Sequence, residues 1–233
     1  MDKRYTYEEF LEIIARLRGE NGCPWDIEQT HESLKSCLLE ESYELIDAID
    51  HNDMANMREE LGDVLLQVVM HAQIAKEEGQ FSMEDVVQDI ASKMVYRHPH
   101  VFGETKGIES AEDVLDKWEE LKKKEKHEET AYEAMERVAK ALPALTRGQK
   151  VYKKANKAGL VNMGKKEIFA QIKERLECLE NGLNNEENDK IEIEMGNLLL
   201  DMVSLATFFE INAEFALTKS MEKFINRFRY IEN

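Results

Sequence analysis

The chain has 233 residues, of which 48 are acidic and 31 basic, and its formal net charge is −17. This charge argues against binding to nucleic acid or to an anionic membrane surface, since both require a basic face. Only three prolines and eleven glycines interrupt a sequence rich in Glu, Lys, Leu, Ala and Met. The composition therefore predicts an all-α protein, organised as one large domain or two small ones.

The cysteines and the N-terminal residues suggest a compartment. Cys23, Cys37 and Cys178 are widely spaced and form no Cys-x-x-Cys pair, so we expect unpaired thiols in a reducing environment. The first residues lack the apolar core of a signal peptide, and no run approaches the roughly 18 apolar residues of a membrane span. We therefore expect a cytoplasmic protein with no membrane partner.

The first predicted helix has an apolar face between Phe10 and Leu17 and ends at Gly19. The loop that follows contains Trp25. A tryptophan in such a loop either caps a hydrophobic core or forms a wall of a nucleotide pocket, and the sequence leaves both interpretations open. Thr30 is a suitable N-cap for the next helix.

Five acidic residues on the next two predicted helices form the most informative pattern in the chain. Glu40-Glu41-Ser42-Tyr43-Glu44 lies on one helix and Glu60-Leu61-Gly62-Asp63 on the other, with a short polar turn at His51-Asn52-Asp53 between them. Residues three or four apart share a helix face. The acids border two apolar stripes, which are Leu34, Leu38, Leu45 and Ile49, then Met57, Leu61, Val64, Leu65, Val68 and Ala72. If the stripes pack as a helical hairpin, the acids meet at one end of the interface.

Such a group of acids requires a counter-charge. Like charges raise the pKa of one another and oppose folding unless a cation neutralises them. An all-oxygen site suits a hard cation, so Mg²⁺ or Mn²⁺ is the expected occupant. One Glu-x-x-Glu pair is most often a solvated helix face, but two acidic pairs on adjacent helices favour a metal site.

The second acidic helix continues through Gln67 and His71, which extend the line of acids, to a stop near Gly79. A single histidine at such a position is more often a surface residue or a neighbour of the ligands than a ligand. Ser82 then begins a capping arrangement for another helix.

Cationic and aromatic residues follow the acids. Lys93 and Arg97 lie four apart on one predicted helix, which Pro99 ends, and Trp118 and Lys122 lie four apart on the next. Lysine and arginine pairs usually form salt bridges at the surface. After a metal site, however, three cations and an aromatic ring suit phosphate pairing and base stacking.

The chain then contains a second, weaker copy of the acidic pattern. Lys173-Glu174-Arg175-Leu176-Glu177 corresponds to the first motif, and Glu194-Met195-Gly196-Asn197 corresponds to the second. Lys223 and Arg227 repeat the spacing of the first pair of cations. The copy has lost its first Glu and its last Asp, and no Trp-x-x-x-Lys equivalent follows. We therefore expect it to be impaired or inactive.

These features predict three segments. Residues 1–128 form an N-terminal domain with an intact acidic motif, residues 129–160 form a helical connector that Pro143 interrupts, and residues 161–233 form a shortened, degenerate C-terminal domain.

The sequence resembles the MazG family of nucleoside triphosphate pyrophosphohydrolases, which carry a Glu-Glu-x-x-Glu…Glu-x-x-Asp signature. The resemblance also includes Gly22-Cys23-Pro24-Trp25-Asp26 and Arg97-His98-Pro99-His100-Val101-Phe102. It covers nearly the whole chain as two tandem domains, without the C-terminal tail of fuller members. It implies an all-α, homodimeric enzyme that uses Mg²⁺ to hydrolyse NTPs or dNTPs to the monophosphate and pyrophosphate. House-cleaning of aberrant nucleotides is the purpose that the family suggests.

The resemblance also implies roles for individual residues. The metal ligands would be Glu41, Glu44, Glu60 and Asp63, and Glu40 would hold or deprotonate the attacking water. Lys93, Arg97 and Lys122 would pair with the phosphates, and Trp118 would contact the base. In a dimer these groups act in cis or in trans.

Three other interpretations remain. A dUTP- or dCTP-specific pyrophosphatase or a phosphoribosyl-ATP pyrophosphohydrolase would carry related signatures, and the base and sugar preference stay open. A ferritin-like bundle needs two Glu-x-x-His motifs, whereas the sequence offers only Glu28 to His31. A non-catalytic, metal-binding helical module would not need Asp63 or the Lys93/Arg97 pair.

Overall fold

The computed structural model describes residues 3–103, 130–184 and 188–229, together with residues 110, 113, 114, 117, 118, 121, 122 and 125. Helices are the only regular elements in this described part, so the all-α prediction is confirmed. The chain divides into two compact units, Met1–Leu121 and Lys122–Asn233. None of the described helices combines the length and the apolar character needed to cross a bilayer.

The first unit is built around a long helical hairpin. Its helices are α1 (Tyr7–Leu17), α2 (Pro24–Glu28), α3 (Lys35–Asp50), α4 (Met54–Glu77), α5 (Met83–Arg97) and α6 (Pro99–Phe102). The helices α3 and α4 pack along each other, and α1 and α5 pack against α4. The buried core lies where α1 meets the start of α3 and the second half of α4, and it contains Ile14, Leu34, Val69, Met70 and Ile74. This core leaves the first half of α4 for the acids.

The turn between α3 and α4 confirms the predicted hairpin. Asn52 takes a left-handed conformation with φ 55°, which asparagine tolerates better than most residues. Asp53 then caps α4, since its Oδ1 accepts hydrogen bonds of 3.1 Å from the backbone N–H groups of Ala55 and Asn56. The capping arrangement predicted at Ser82 is also present at the start of α5.

The predicted start of α3 is wrong by one turn. Thr30 and Ser33 exchange side-chain to backbone hydrogen bonds of 3.0 and 3.1 Å, which close a separate turn before the helix. The helix begins at Lys35, and its N-cap residue Leu34 has no side-chain cap. Thr30 therefore caps that turn and not α3, because its hydroxyl already accepts the bond from the N–H of Ser33 and α3 begins only at Lys35.

The two apolar stripes are buried only in part. Leu34 and Ala72 are buried, as expected, but Ile49 is 54% exposed and Leu61 is 51% exposed. Glu60, in contrast, is only 7% exposed. The hairpin therefore encloses an acid and leaves large apolar side chains at its surface. The exposure of Leu61 has a simple reason: α4 has apolar residues on more than one face, and the other helices of the unit do not cover all of these faces.

The second unit has its own hairpin. Its helices are α7 (Ala131–Glu136), α8 (Ala144–Lys157), α9 (Lys165–Asn184), α10 (Asn188–Phe208) and α11 (Ala213–Phe228). The helices α9 and α10 pack along each other, and α8 packs against α7, α10 and α11. The break at Pro143 is confirmed, since it precedes α8. The segment predicted as a connector thus contributes α7 and α8 to this unit, and our division into three segments stays a prediction.

Candidate functional site

Three of the five predicted acids converge between α3 and α4. One carboxylate oxygen from each of Glu41, Glu60 and Asp63 lies within 4.8 Å of the other two. Glu60 is buried, and Glu41 and Asp63 are half-buried. The arrangement follows from the sequence, because residues 60 and 63 share one face of α4 and the hairpin turn folds α3 back along that face. Within the described chain, this is the only such group of three candidate metal ligands.

The site is electrostatically unfavourable without a cation. Burial raises the pKa of Glu41, and the neighbouring carboxylates of Asp63, Glu44 and Glu40 raise it further. Burial likewise raises the pKa of Glu60, with added repulsion from Glu44, Asp63 and Glu41. No ion pair in the described structure links these acids to a lysine or arginine. A bound cation would therefore relieve both the repulsion and the loss of hydration.

Glu40 and Glu44 lie at the edge of this group. Both side chains are exposed on α3. Glu44 is outside the group of three converging acids, yet it is close enough to raise the pKa of both Glu41 and Glu60. Glu40 acts on Glu41 alone. The structure thus brings together three of the four predicted metal ligands, and the roles of Glu44 and Glu40 stay predictions.

The donor set fits a hard divalent cation. All three groups are carboxylates, which suit Mg²⁺ and Mn²⁺, and the group contains no cysteine or histidine that would favour a softer metal. Mg²⁺ keeps several of its waters in protein sites, so three protein carboxylates leave room for water and for substrate phosphates.

The predicted phosphate and base residues lie elsewhere on the chain. Lys93 and Arg97 are on α5, which packs against α4. Arg97 is only 7% exposed, and its guanidinium carbon lies 5.6 Å from the centre of the Trp118 ring. Two residues predicted to contact substrate separately therefore contact each other. Lys122 is the first residue of the second unit. The substrate-binding roles of all four stay predictions.

The loop around Trp25 has a defined support that the sequence did not reveal. Trp25 is 59% exposed on α2 and so does not cap the core. The Arg18 guanidinium donates hydrogen bonds to the backbone oxygens of Asp26 and Gln29, and it forms an ion pair of 2.8 Å with Glu77 of α4. These contacts hold α2 against the hairpin. Because they join residues far apart in sequence, no local pattern predicts them.

The face of α4 beyond the acids contains two polar residues, Gln67 and His71, that continue the line of the acids. Gln67 is 6% exposed, and its amide oxygen Oε1 has no hydrogen-bond partner among the described residues. One turn further, His71 stacks on His31 with ring centres 5.1 Å apart and Nδ1 atoms 2.8 Å apart. Burial lowers the pKa of His71, and His31 lowers it further. The spacing of Gln67 and His71 from Asp63 was visible in the sequence, but their burial was not.

The second unit places an internal cation beside two of its acids, Glu194 and Asp201. Arg175 Nη1 lies 3.2 Å from a carboxylate oxygen of Glu194, and Arg175 Nε lies 3.5 Å from Asp201 Oδ2. Gln171 donates a hydrogen bond of 2.8 Å to the other oxygen of Asp201. Burial raises the pKa of Asp201, while Arg175 lowers it. An arginine side chain thus supplies the positive charge that the acids of the first unit lack.

Comparison with known proteins assigns the chain to a family. Residues 29–102, which include all three converging acids, match the MazG nucleotide pyrophosphohydrolase domain. The chain is 40% identical over 226 residues to the nucleoside triphosphate pyrophosphohydrolase/pyrophosphatase MazG of Thermotoga maritima, covering 97% of this chain and 85% of that protein. It is also 43% identical over 229 residues to the uncharacterized protein YabN of Bacillus subtilis, covering 98% of this chain and 46% of that protein.

A solved structure also matches part of the chain. It is a mazG-related protein from Thermotoga maritima, with 36% identity and a TM-score of 0.43, and the match covers 50% of this chain and 98% of that one. The present chain spans less than half of the Bacillus subtilis relative but most of the Thermotoga maritima enzyme. Because the chain is 40% identical to the Thermotoga maritima MazG enzyme and covers 85% of it, the chain belongs to the MazG family of nucleoside triphosphate pyrophosphohydrolases.

Proposed function

We propose that the first unit hydrolyses ribo- or deoxyribonucleoside triphosphates to the nucleoside monophosphate and pyrophosphate, with Mg²⁺ bound by Glu41, Glu60 and Asp63. The observation that carries this proposal is the convergence of three carboxylates that have no cationic partner in the described structure. Membership of a family of triphosphate pyrophosphohydrolases supports the reaction, and the all-oxygen donor set supports the choice of metal.

The reaction requires little covalent chemistry from the protein. Bound Mg²⁺, or Mn²⁺ in its place, supplies positive charge that neutralises phosphate oxygens. In our proposal Glu40 orients a water molecule and accepts its proton, and the water oxygen attacks the α-phosphorus in line with the bond to the β-phosphate oxygen. That bond breaks, and pyrophosphate leaves. Glu44, one turn from Glu41 and exposed, would be the fourth ligand of the bound metal. Positioning and electrostatics account for most of the catalysis in such reactions.

The basic residues receive the phosphates in this proposal. Lys93, Arg97 and Lys122 pair with the substrate oxygens, and Trp118 contacts the base. The contact between Arg97 and Trp118 supports part of this assignment, because it places the residue proposed to pair with phosphate beside the residue proposed to contact the base.

We further propose that the protein is a cytoplasmic homodimer and that the second unit is not catalytic. The exposed apolar residues of the hairpin support a dimer, since Leu39, Ile49 and Leu61 are each more than half exposed. The ion pair of Arg175 with Glu194 supports a silent second unit, because a guanidinium beside the counterpart of Glu60 repels a metal cation. The three unpaired cysteines fit a reducing compartment. Cleansing of the nucleotide pool is a role consistent with this assignment.

A panel of pyrophosphate-release assays tests the proposal. The purified chain is given canonical and modified NTPs and dNTPs, phosphoribosyl-ATP, and either Mg²⁺ or EDTA. We expect metal-dependent release of pyrophosphate from triphosphates that Glu41→Gln abolishes, whereas Asp50→Asn, an exposed acid at the far end of α3, leaves the rate unchanged. Release from dUTP or dCTP alone, or from phosphoribosyl-ATP alone, would support the related activities instead. Absence of any metal-dependent release would refute catalysis by this chain.

A further inference from the structure

Gln67 of α4 has a buried amide oxygen that the fold does not satisfy. The residue is 6% exposed, and its Oε1 atom accepts no hydrogen bond from any described group. An unsatisfied buried acceptor destabilises a folded protein, and native structures contain few of them. A group retained in this state at the edge of a candidate metal site therefore suggests a partner from outside the chain.

The spacing along α4 places Gln67 on the helix face that carries the acids. Gln67 follows Glu60 by seven residues and Asp63 by four, so it lies on the helix face that these two acids share. Side chains on a helix lean towards its N-terminus, and the amide of Gln67 therefore extends over the turn that carries Asp63. The separation of one turn, about 6 Å along the axis, is within the reach of a glutamine side chain.

The second unit supplies an independent observation at the same position of the repeat. Asp201 follows Glu194 by seven residues, as Gln67 follows Glu60. Asp201 lies 3.5 Å from Nε of Arg175, and the same guanidinium lies 3.2 Å from Glu194. In that unit, the residue at the Gln67 position thus faces the cation that also contacts the counterpart of Glu60.

We propose that Gln67 is a positioning residue of the metal site, and that its Oε1 accepts a hydrogen bond from a water molecule in the hydration shell of the cation. This inference rests on the proposed metal site of Glu41, Glu60 and Asp63. A neutral acceptor suits the position, because it orients a water molecule without adding charge to a site that already contains three carboxylates. Groups that contact metal ligands in this way commonly change metal affinity by 10- to 100-fold.

Metal binding without nucleotide tests the role. Mn²⁺ affinity is measured by electron paramagnetic resonance on the full chain, and unfolding temperature is measured in EDTA and in Mn²⁺. We expect Gln67→Leu to weaken Mn²⁺ binding about tenfold. The variant should be as stable as wild type in EDTA, or more stable, because the unsatisfied acceptor is gone. Gln73→Leu is the matched control, since it makes the same change on α4 at a half-buried residue whose one side-chain hydrogen bond within the described structure goes to Glu77.

A role in packing alone gives a different result. It predicts that Gln67→Leu lowers the unfolding temperature equally in EDTA and in Mn²⁺ with unchanged Mn²⁺ affinity, and this outcome would overturn the proposal. If the leucine variant does not fold, Gln67→Met provides the same test with an unbranched side chain. Failure of the wild-type chain to bind Mn²⁺ would instead refute the proposed metal site, so the two hypotheses are distinguishable.

Discussion

Replacing Asp63 by asparagine should have opposite effects on stability in the absence and presence of metal. Oxygens of Asp63 and Glu41 lie within 4.8 Å of each other, and at the dielectric constant of water two charges at that separation repel by about 1 kcal/mol. Both side chains are half-buried, so solvent screens the pair only in part and this value is a lower limit. Asp63→Asn removes this repulsion, so we expect the metal-free first unit to gain at least about 1 kcal/mol and a few degrees in unfolding temperature.

With Mg²⁺ the order should reverse. A ligand present at 100 times its Kd stabilises the folded state by about 2.7 kcal/mol, and the variant should lose most of that gain together with pyrophosphate release. Circular dichroism melts in EDTA and in Mg²⁺, alongside pyrophosphate assays, measure both effects. Asp50→Asn is the control, because Asp50 is an exposed acid of the same hairpin outside the group. Wild-type pyrophosphate release by Asp63→Asn, or lower stability than wild type in EDTA, would contradict the reasoning.

Three further predictions concern pH, assembly and the second unit. Folding raises the pKa values of Glu41 and Glu60, so the stability of the metal-free protein should rise as the pH falls towards these values. Protons should at the same time weaken Mg²⁺ binding, because they compete for the same carboxylates. Thermal melts and Mg²⁺ titrations across pH 4–8 measure the two effects. Ile49→Lys places a charge on the exposed apolar face and should shift the sedimentation coefficient from that of a dimer to that of a monomer. If the wild-type protein sediments as a monomer and is fully active, the proposed dimer is refuted. Arg175→Gln should destabilise the second unit by about 1–2 kcal/mol in denaturant melts, because two partly buried acids lose their cation, whereas Lys173→Gln, at an exposed lysine, should not.

The hairpin and its acids were predictable because each signal is local. The polar turn at Asn52, the cap at Asp53 and the spacing of Glu60 and Asp63 all follow from residues within a few positions of one another. Only three residues join α3 to α4, so the two helices must fold back on each other. The acidic face of α3 then meets the acidic face of α4. The convergence of Glu41 with Glu60 and Asp63 therefore required no knowledge of distant contacts.

Features that depend on distant contacts were not predictable. The apolar spacing of Leu61 and Ile49 indicated burial, yet both are exposed, because periodicity shows that a face is apolar but not what covers it. The contact of Arg97 with Trp118 and the ion pair of Arg18 with Glu77 join separate elements whose packing the sequence does not specify. Both contacts lie outside the acidic motif.

The two copies of the acidic hairpin illustrate two solutions to one electrostatic problem. A glutamate withdrawn from solvent at this position, buried at Glu60 and half-buried at Glu194, is stabilised by a positive charge nearby in either unit. In the second unit Arg175, which replaces Ser42 in the matched motif, supplies that charge from within the chain. In the first unit Ser42 is too short and uncharged, and its Oγ donates a hydrogen bond of 2.6 Å to the backbone oxygen of Leu38. In our proposal the charge comes from solution, and a site that depends on a dissolved cation is also one that can exchange water and bind phosphate. The substitution at this one position thus offers a physical reason why only the first unit would retain the chemistry.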